Sequence, residues 1–502
     1  MTESALIFGS VLNRIGTDMC ELIRDISLSV RDCFTSRADI VWLITVTLIG
    51  ACCRGYFLDQ PMRYDESYTF LNFANQDLTS LFNYPLPNNH VLHTLLIRLS
   101  TLMFGYYPQS IRFTAFLSGI AIIPLTFCFC RKLIPETSGF FASALVSVFP
   151  YMVLYSVMAR GYSLIVALTL ALALIGFCVT ERLSLTGCAL LSLISALGML
   201  TMPSMLYAIV GVNLWLVYLL VKKQPFKTVL GGFVIPCAAM TFIFTVMLYI
   251  PSIIVSGVCP IVANRFVKSL PWEDFFSGIY PHFSMMVSDF SRDVPVPIIF
   301  VCAILLAAGV SGAVKKRNWE ILLLLPSVLL GSGVVFLLKH SIPFVRTWMY
   351  IIPFFFIITD MGLSYITESI ARKYRMLIPS VLLIFGVFGA GSLISGNVIA
   401  KYPDTGYFPE APMMVMKLKP LMNPGDSLHV GIPADWPVFF YMWYYGVPQQ
   451  TASVNHEHVT EFFILQKNLG TMPREPLLML FDYKNAALYR KLYVGESERG
   501  KR

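Results

Sequence analysis

The sequence predicts an all-α polytopic membrane protein of about eleven transmembrane helices, closed by a small outward-facing α/β lobe at its C-terminal end. Three observations predict it. Of the 502 residues, 56% are hydrophobic and 13% charged, with a mean hydropathy of +0.68, beyond what a water-soluble domain of ordinary composition carries. Uncharged apolar runs long enough to cross the hydrocarbon recur between short loops of Arg, Lys, Pro or Gly. After Ile394 these long runs stop, and Leu428 to Ile432 and Leu477 to Phe481 read as short strands flanking the aromatic stretch Val438 to Tyr445.

In order, the predicted spans are Ile40 to Leu58, Phe113 to Cys130, Ser138 to Tyr155, Tyr162 to Thr180, Leu185 to Met202, Ser204 to Val221, Val229 to Ile250, Val296 to Val314, Ile321 to Leu338, Trp348 to Ile366 and Met376 to Ile394. Arg54 interrupts the first near one end, where a long side chain can snorkel to the headgroups. Val91 to Phe104 is too short to cross. At helical spacing His90, Thr94, Arg98 and Thr101 share one face and Leu92, Leu95, Leu96, Leu99 and Met103 the other, which predicts an interfacial helix.

Orientation follows from the basic loops, because Lys and Arg beside a span stay in the cytosol. Arg131 with Lys132, Lys222 with Lys223 and Lys227, Lys315 to Arg317, and Arg372 with Lys373 and Arg375 fall on one side if eleven spans alternate, and Arg31 and Arg37 put the N-terminus there too. The predicted organisation is a cytosolic amphipathic segment over 1–38, a membrane domain over 39–395 with a long first outward loop at 59–112, and an extracytosolic lobe over 396–502. The net charge of +8 is accounted for by these loops and by contact with anionic membrane lipids. It does not call for nucleic acid. No cleaved signal is expected, and the eleven Cys form no disulfide framework.

Met62-Arg63-Tyr64-Asp65-Glu66-Ser67-Tyr68-Thr69 sets two adjacent carboxylates just outside the first span. Such an acid can serve as a general base, a proton-coupling site or a cation ligand, or simply face a helix N-terminus at the interface. Pro85 to His93 follows as a turn feeding the interfacial helix. His90 and His93, three apart, fit either a metal or a hydrogen-bonded interfacial ligand, and without a third ligand the latter reading is preferred. Arg160 and Arg346 sit at outward ends of spans, where an Arg either snorkels or grips phosphate with its fork of donors. Asp360 is an acid inside a span and needs an internal partner or water. His456-Glu457-His458 reads as a solvated loop. Trp272-Glu273-Asp274 and His282 lie in a long outward loop suited to closing a cavity.

Three short elements together resemble the GT-C glycosyltransferases, and within them the family-39-like branch of protein O-mannosyltransferases and lipid A aminoarabinose transferases. They are the Asp65-Glu66 pair with the Asn88-Asn89-His90 turn, Phe104-Gly105 and Arg112 opening the second span; the stretch Tyr155-Ser156-Val157-Met158-Ala159-Arg160-Gly161-Tyr162, similar to an Ala-Arg-x-Tyr element; and Pro343 to Tyr350 with Pro353, similar to an Arg-Tyr-x-x-Pro entry into a late span. The resemblance covers the layout of about the whole chain.

It implies an inverting transfer from a polyprenyl-phosphate sugar to an extracytosolic acceptor, which is a protein, lipid or glycan, at the plasma (inner) membrane. Asp65 would take the acceptor's proton, with Glu66 orienting it. Arg160, Arg346, His90, Tyr350 and Lys339 would hold the donor phosphate, and Tyr64, Tyr68, Asn89, His93, Tyr162 and His340 would line the substrate cavity. Many relatives carry an acid near the Ala-Arg element, and some use it with the first-loop acid to hold a divalent cation. Met158 precedes Ala159 here and Tyr151 to Thr180 contains no Asp or Glu, so no metal or other cofactor is expected. The rival classes are a secondary transporter or flippase, whose charges gather near the midplane, and a scaffold with no polar convergence.

Overall fold

The computed structural model describes residues 2–134, 139–262, 268–368, 377–448, 460–467 and 477–491. His456, Glu457 and His458, and the basic residues Arg372, Lys373 and Arg375, lie outside them. Eight helices among the described residues are long and apolar enough to cross a membrane, and the chain is an integral multi-pass membrane protein. Leu185–Thr201 and Met205–Val221 add two more apolar helices of 17 residues, each about 26 Å long. Every predicted run falls on helix where it is described.

One run is broken. Pro150 has no N–H for the carbonyl of Val146, so the segment read as one span divides into Phe140–Val148 and Pro150–Ser156. The break explains Arg54. Its guanidinium is fully buried and donates to the carbonyls of Val146 (3.1 Å) and Ser147 (2.6 Å), acceptors that the broken helix leaves free, and to Gly50 of its own helix (3.1 Å). It therefore turns inward and does not snorkel. Asp360 serves the other end of the same helix, where its carboxylate accepts from the amides of Gly139 and Phe141, both at 2.9 Å, at the start of Phe140–Val148. It is buried and paired with backbone amides.

Helices meet closely where side chains are absent. A Cβ on Gly331 would lie 2.5 Å from the Cα of Gly211, so Met205–Val221 and Leu324–Lys339 touch backbone to backbone. At one end of the bundle the charged residues pair across elements: Arg131 with Asp39 (2.8 Å), Lys222 with Glu320 (2.7 Å), Lys223 with Glu181 (2.8 Å), and Lys316 with Glu368. Helix Tyr162–Glu181 starts at the opposite end, where the loop over 59–112 gathers.

The interfacial helix occupies Val91–Phe104 as predicted. Its inner face buries His93, Thr94, Ile97, Ser100 and Thr101, while Leu99, Leu102, Met103 and Phe104 are exposed. Polar groups face the protein and apolar ones face outward, as suits a helix against lipid. The C-terminal region forms a four-stranded sheet of β1 (Ser427–Val430), β2 (Glu461–Gln466), β3 (Leu477–Tyr483) and β4 (Ala486–Lys491), in the order β1-β2-β4-β3. β1 runs parallel to β2 with Ser427 opposite Glu461, and the other pairs are antiparallel. Helix Asp435–Tyr445 joins this lobe to the membrane body: the Tyr441 hydroxyl accepts from the amide of Met62 at 3.0 Å, beside the short helix Tyr64–Thr69.

Candidate functional site

Helix Tyr64–Thr69 is fixed from both sides. At its start the Arg63 amide donates to Glu66 Oε1 at 2.9 Å, closing the first turn. The buried Arg63 guanidinium donates to the carbonyls of Ile399 (2.7 Å), Tyr402 (2.5 Å) and Asp404 (2.9 Å), and the Tyr64 amide to that of Gly406 (3.1 Å). The loop over 59–112 is thereby strapped to the segment that follows the last span.

Glu66 is fully buried. It pairs with Arg112, whose Nε lies 3.0 Å away, and accepts from the Ala159 amide at 2.9 Å. Burial alone would raise its pKa, but the Arg112 guanidinium and the amides of Ala159 and Arg63 outweigh burial and hold the carboxyl below its usual range. Arg112 also reaches the carbonyls of Leu58 and Gln60, each at 2.6 Å. Glu66 therefore joins the first loop, the second span and the second outward loop, and this buried pair keeps it out of the cavity.

The turn ahead of Tyr162–Glu181 presents Arg160, which donates to Thr69 Oγ1 (2.9 Å) and the Asn88 carbonyl (2.8 Å), with Nη2 3.1 Å from His90 Nε2. His90 Nδ1 accepts from the Gly161 amide at 2.9 Å. Burial, then the charges of Arg160, His93 and Arg346, push His90 well below its ordinary pKa, so the ring is neutral at pH 7. A Cβ on Gly161 would come within 2.5 Å of Thr201 Cγ2, which leaves this close-packed turn little room for a side chain.

Arg346, in the turn Val345–Tyr350, uses each of its three guanidinium nitrogens once. Nε donates to the Tyr162 hydroxyl (2.7 Å), Nη1 to Asp404 Oδ1 (3.0 Å) and Nη2 to Asp65 Oδ2 (3.3 Å), and Phe344 lies under its plane at 4.4 Å. The Tyr155 hydroxyl donates to the second oxygen of Asp404. Asp404 thus enters from beyond the last span to meet Tyr155 of the second outward element, which has no acid of its own.

These side chains surround a cavity of about 260 Å³. Tyr64, Asp65, Tyr68, His90, Arg160, Tyr162, Lys339 and Arg346 line it, as do Tyr84, Ser204, Tyr207 and Ser341, which the sequence had not singled out. Glu66, Asn89, His93, His340 and Tyr350 are not in the lining, which corrects their expected placement. Asn89 is consumed by its own turn, donating to the carbonyls of Leu81 (2.9 Å) and Asn83 (2.8 Å) and accepting from Thr94 (2.7 Å). His93 faces the protein interior, where burial and Arg160 push its pKa down to about 3. His340 ends its helix in a left-handed conformation and stacks on Trp272, ring centroids 4.7 Å apart. The Tyr350 hydroxyl is spent on Ser332 at 2.6 Å. Helix Trp272–Ser291 does not reach the cavity either; its His282 accepts from Trp348 Nε1 at 2.8 Å and so braces the segment that carries Arg346.

The lining carries one carboxylate, Asp65, against three cations, Arg160, Lys339 and Arg346. No group of three or more His, Cys, Asp or Glu is arranged to hold a metal ion among the described residues.

The whole architecture superposes on ArnT from Cupriavidus metallidurans in its apo state with a TM-score of 0.59, covering 91% of this chain and 98% of that one at 11% identity. The same holds for ArnT from Cupriavidus metallidurans bound to undecaprenyl phosphate, with a TM-score of 0.59, 92% and 99% coverage and 10% identity. The chain has the GT-C fold. No protein-family model matches the sequence, and no curated protein matches it. The cavity lies between the loop over 59–112 and the adjoining helix ends, at the end of the bundle opposite the paired basic residues.

Proposed function

We propose that the chain is an inverting glycosyltransferase that takes a sugar from a polyprenyl-phosphate carrier and passes it to an acceptor at the extracytosolic face of the plasma (inner) membrane. The observation that carries this reading is the composition of the cavity: one carboxylate faces three cations across a space of about 260 Å³. A sugar phosphate needs both. Asp65 Oδ takes the proton from the acceptor nucleophile as that atom attacks the anomeric carbon. The bond from that carbon to the phosphate oxygen breaks on the opposite side, and its electron pair stays with the polyprenyl phosphate.

Arg160, Lys339 and Arg346 stabilise the charge that grows on this leaving group, and so bind the transition state more strongly than the ground state. General-base assistance of this kind contributes about 10²- to 10⁴-fold. These cations supply the electrostatic role that a divalent ion fills elsewhere, and the reaction is proposed to need no metal. The His90 ring packs beside Arg160, and its Nδ1 is fixed by the Gly161 amide. Support for a lipid-phosphate donor comes from the shared fold with ArnT bound to undecaprenyl phosphate. A transporter would gather its charges at the midplane; here Asp65, Arg160 and Arg346 meet at one end of the bundle. With the paired basic loops in the cytosol, the N-terminus is cytosolic and the C-terminal lobe extracytosolic.

The test is transfer from radiolabelled polyprenyl-phosphate sugars in purified membranes, comparing wild type with Asp65→Asn. Label should pass to an acceptor only with the wild type, while both proteins insert in equal amount. Equal transfer by the two would remove Asp65 from its role.

A further inference from the structure

Behind Arg346 stands a strained turn. Tyr402-Pro403-Asp404-Thr405-Gly406 combines Pro, Asp and Gly, residues that tight turns use, and it carries Thr405 and Gly406 at φ of 63° and 74°. Gly tolerates that region, whereas a β-branched residue enters it only under strain. Thr405 is held there by its neighbour: its amide donates to Asp404 Oδ1 at 2.8 Å and its hydroxyl to the Asp404 carbonyl at 2.7 Å. A Cβ on Gly406 would lie 2.4 Å from Tyr64 Cβ, so the turn presses directly on helix Tyr64–Thr69. Strain of this kind persists where the surroundings fix it, and it gathers at functional sites.

The turn holds both the base and its cation. Its carbonyls hold the backbone of the base, Gly406 accepting from the Tyr64 amide at 3.1 Å and Thr405 from that of Asp65 at 3.4 Å. Its carboxylate holds the cation: Asp404 Oδ1 accepts from Arg346 Nη1 at 3.0 Å, and Oδ2 from the Tyr155 hydroxyl. Asp404 itself stands outside the cavity lining, so its influence there passes through Arg346. The stretch Tyr151 to Thr180 contributes the hydroxyls of Tyr155 and Tyr162 to this network but no acid.

Two carboxylates on one guanidinium act differently from one. With Asp65 as its only anion, Arg346 would turn two nitrogens onto the base and occupy the lone pairs that must receive a proton. A second acid at Nη1 prevents this, and leaves Asp65 a single contact from Nη2 at 3.3 Å. We propose that Asp404 is a positioning residue of the transfer, and that by anchoring Arg346 from behind it keeps the Asp65 carboxylate open to the acceptor. The inference rests on the transferase reading above and deepens it by assigning what keeps the base from its own counter-charge. Loss of Asp404 leaves Arg160 and Lys339 to bind the donor, and impairs the chemical step.

The experiment uses the full chain in lipid nanodiscs with radiolabelled undecaprenyl-phosphate sugars, and reads kcat and donor KM per folded protein. Asp404→Asn should lower kcat about 10²-fold, the loss that a misplaced catalytic group typically brings, with KM within about threefold of wild type. Asp404→Glu, which restores the charge, should recover most of that loss. Tyr155→Phe removes only the hydroxyl that steadies Asp404 and should lower kcat about fivefold. The decisive comparison is in an Arg346→Gln background. There the addition of Asp404→Asn should change kcat by less than about twofold, because a residue that acts through Arg346 has nothing left to position. Losses that multiply in the double variant, a defect confined to KM, or wild-type kcat in folded Asp404→Asn each overturn the assignment, as does wild-type kcat in Tyr155→Phe where Asp404→Asn does not fold. No transfer by wild type from any of these donors overturns the transferase reading, and the positioning role with it. Active wild type with an indifferent Asp404 overturns the positioning role alone.

Discussion

Asp65 and Arg346, 281 residues apart in sequence, face each other at 3.3 Å across the cavity wall, and Arg346 is held from its other side by Asp404 at 3.0 Å. One guanidinium between two carboxylates is kept in orientation by Asp404 and Tyr162 while its Asp65 contact, the longest of the three, is the one an incoming phosphate can replace. In the proposed transfer Asp65 would then be released toward the acceptor.

Substitution of Asp65 by Asn keeps the shape and removes the base. Transfer should fall about 10²- to 10⁴-fold with unchanged membrane insertion, measured as labelled product per folded protein. A fall below tenfold would rule out general-base work by this residue.

Arg346→Lys keeps the charge and loses the fork that spans Tyr162, Asp404 and Asp65. Transfer should drop about 10²- to 10³-fold, and Arg160→Ala should weaken undecaprenyl phosphate binding in a direct assay. Wild-type kinetics in Arg346→Lys would mean that only net charge matters there.

Glu66→Gln should act on stability. It leaves the buried Arg112 without its counter-charge, which costs about 3–5 kcal/mol in comparable buried pairs. Thermal unfolding in nanodiscs and the yield of folded protein report it, and an unchanged midpoint would contradict the pairing.

Acid should destabilise the wild type in two stages. Glu66 has a folded pKa below its ordinary 4.5, so its contribution is complete above about that pH and is lost as pH falls through the folded value. His90, also lowered from an ordinary 6.5, is neutral when folded; the unfolded chain binds the proton first, and stability declines as pH drops below about 6.5. Midpoints measured from pH 7.5 to 4 should fall continuously, and His90→Gln should flatten the upper part of that curve. A profile flat between pH 6.5 and 5 in wild type would contradict the buried neutral ring.

Transfer should be insensitive to EDTA, and orientation is accessible through cysteines. Cys259 and Cys20 are both exposed, and in single-cysteine variants a membrane-impermeant maleimide added to intact cells should label Cys259 and spare Cys20. The reverse pattern would invert the proposed topology.

The sequence carried the membrane architecture because lipid imposes a length and an apolarity that composition records directly; helix Val91–Phe104 even has its predicted ends. It carried the cavity's principal charges because Asp65, Arg160 and Arg346 each sit at the end of an apolar run away from the basic loops. Local reading reached less far where the determinant was a distant partner. Arg112 stands out as the Arg opening the second span, but nothing beside Glu66 announces their pairing, so two adjacent acids look alike although one is exposed to the cavity and the other is buried. Asp404 lies in a Tyr-Pro-Asp-Thr-Gly turn at the same outward level as Asp65, and that shared level is the signal that could have found it. Arg54 turns inward against expectation because its partners are freed by Pro150, nearly a hundred residues on. In the lobe, Phe462 to Leu465 is as apolar as the recognised strands, and β2 could have been found by the same rule.

Arg63 grips carbonyl oxygens that lie 336 to 341 residues downstream. A nascent chain leaving the ribosome therefore inserts nearly all of its helices before the latch that steadies Asp65 has anything to close on. Premature termination ahead of residue 399 should yield a product that threads the bilayer normally but remains catalytically silent, and such fragments belong to quality control rather than to a partially working pool.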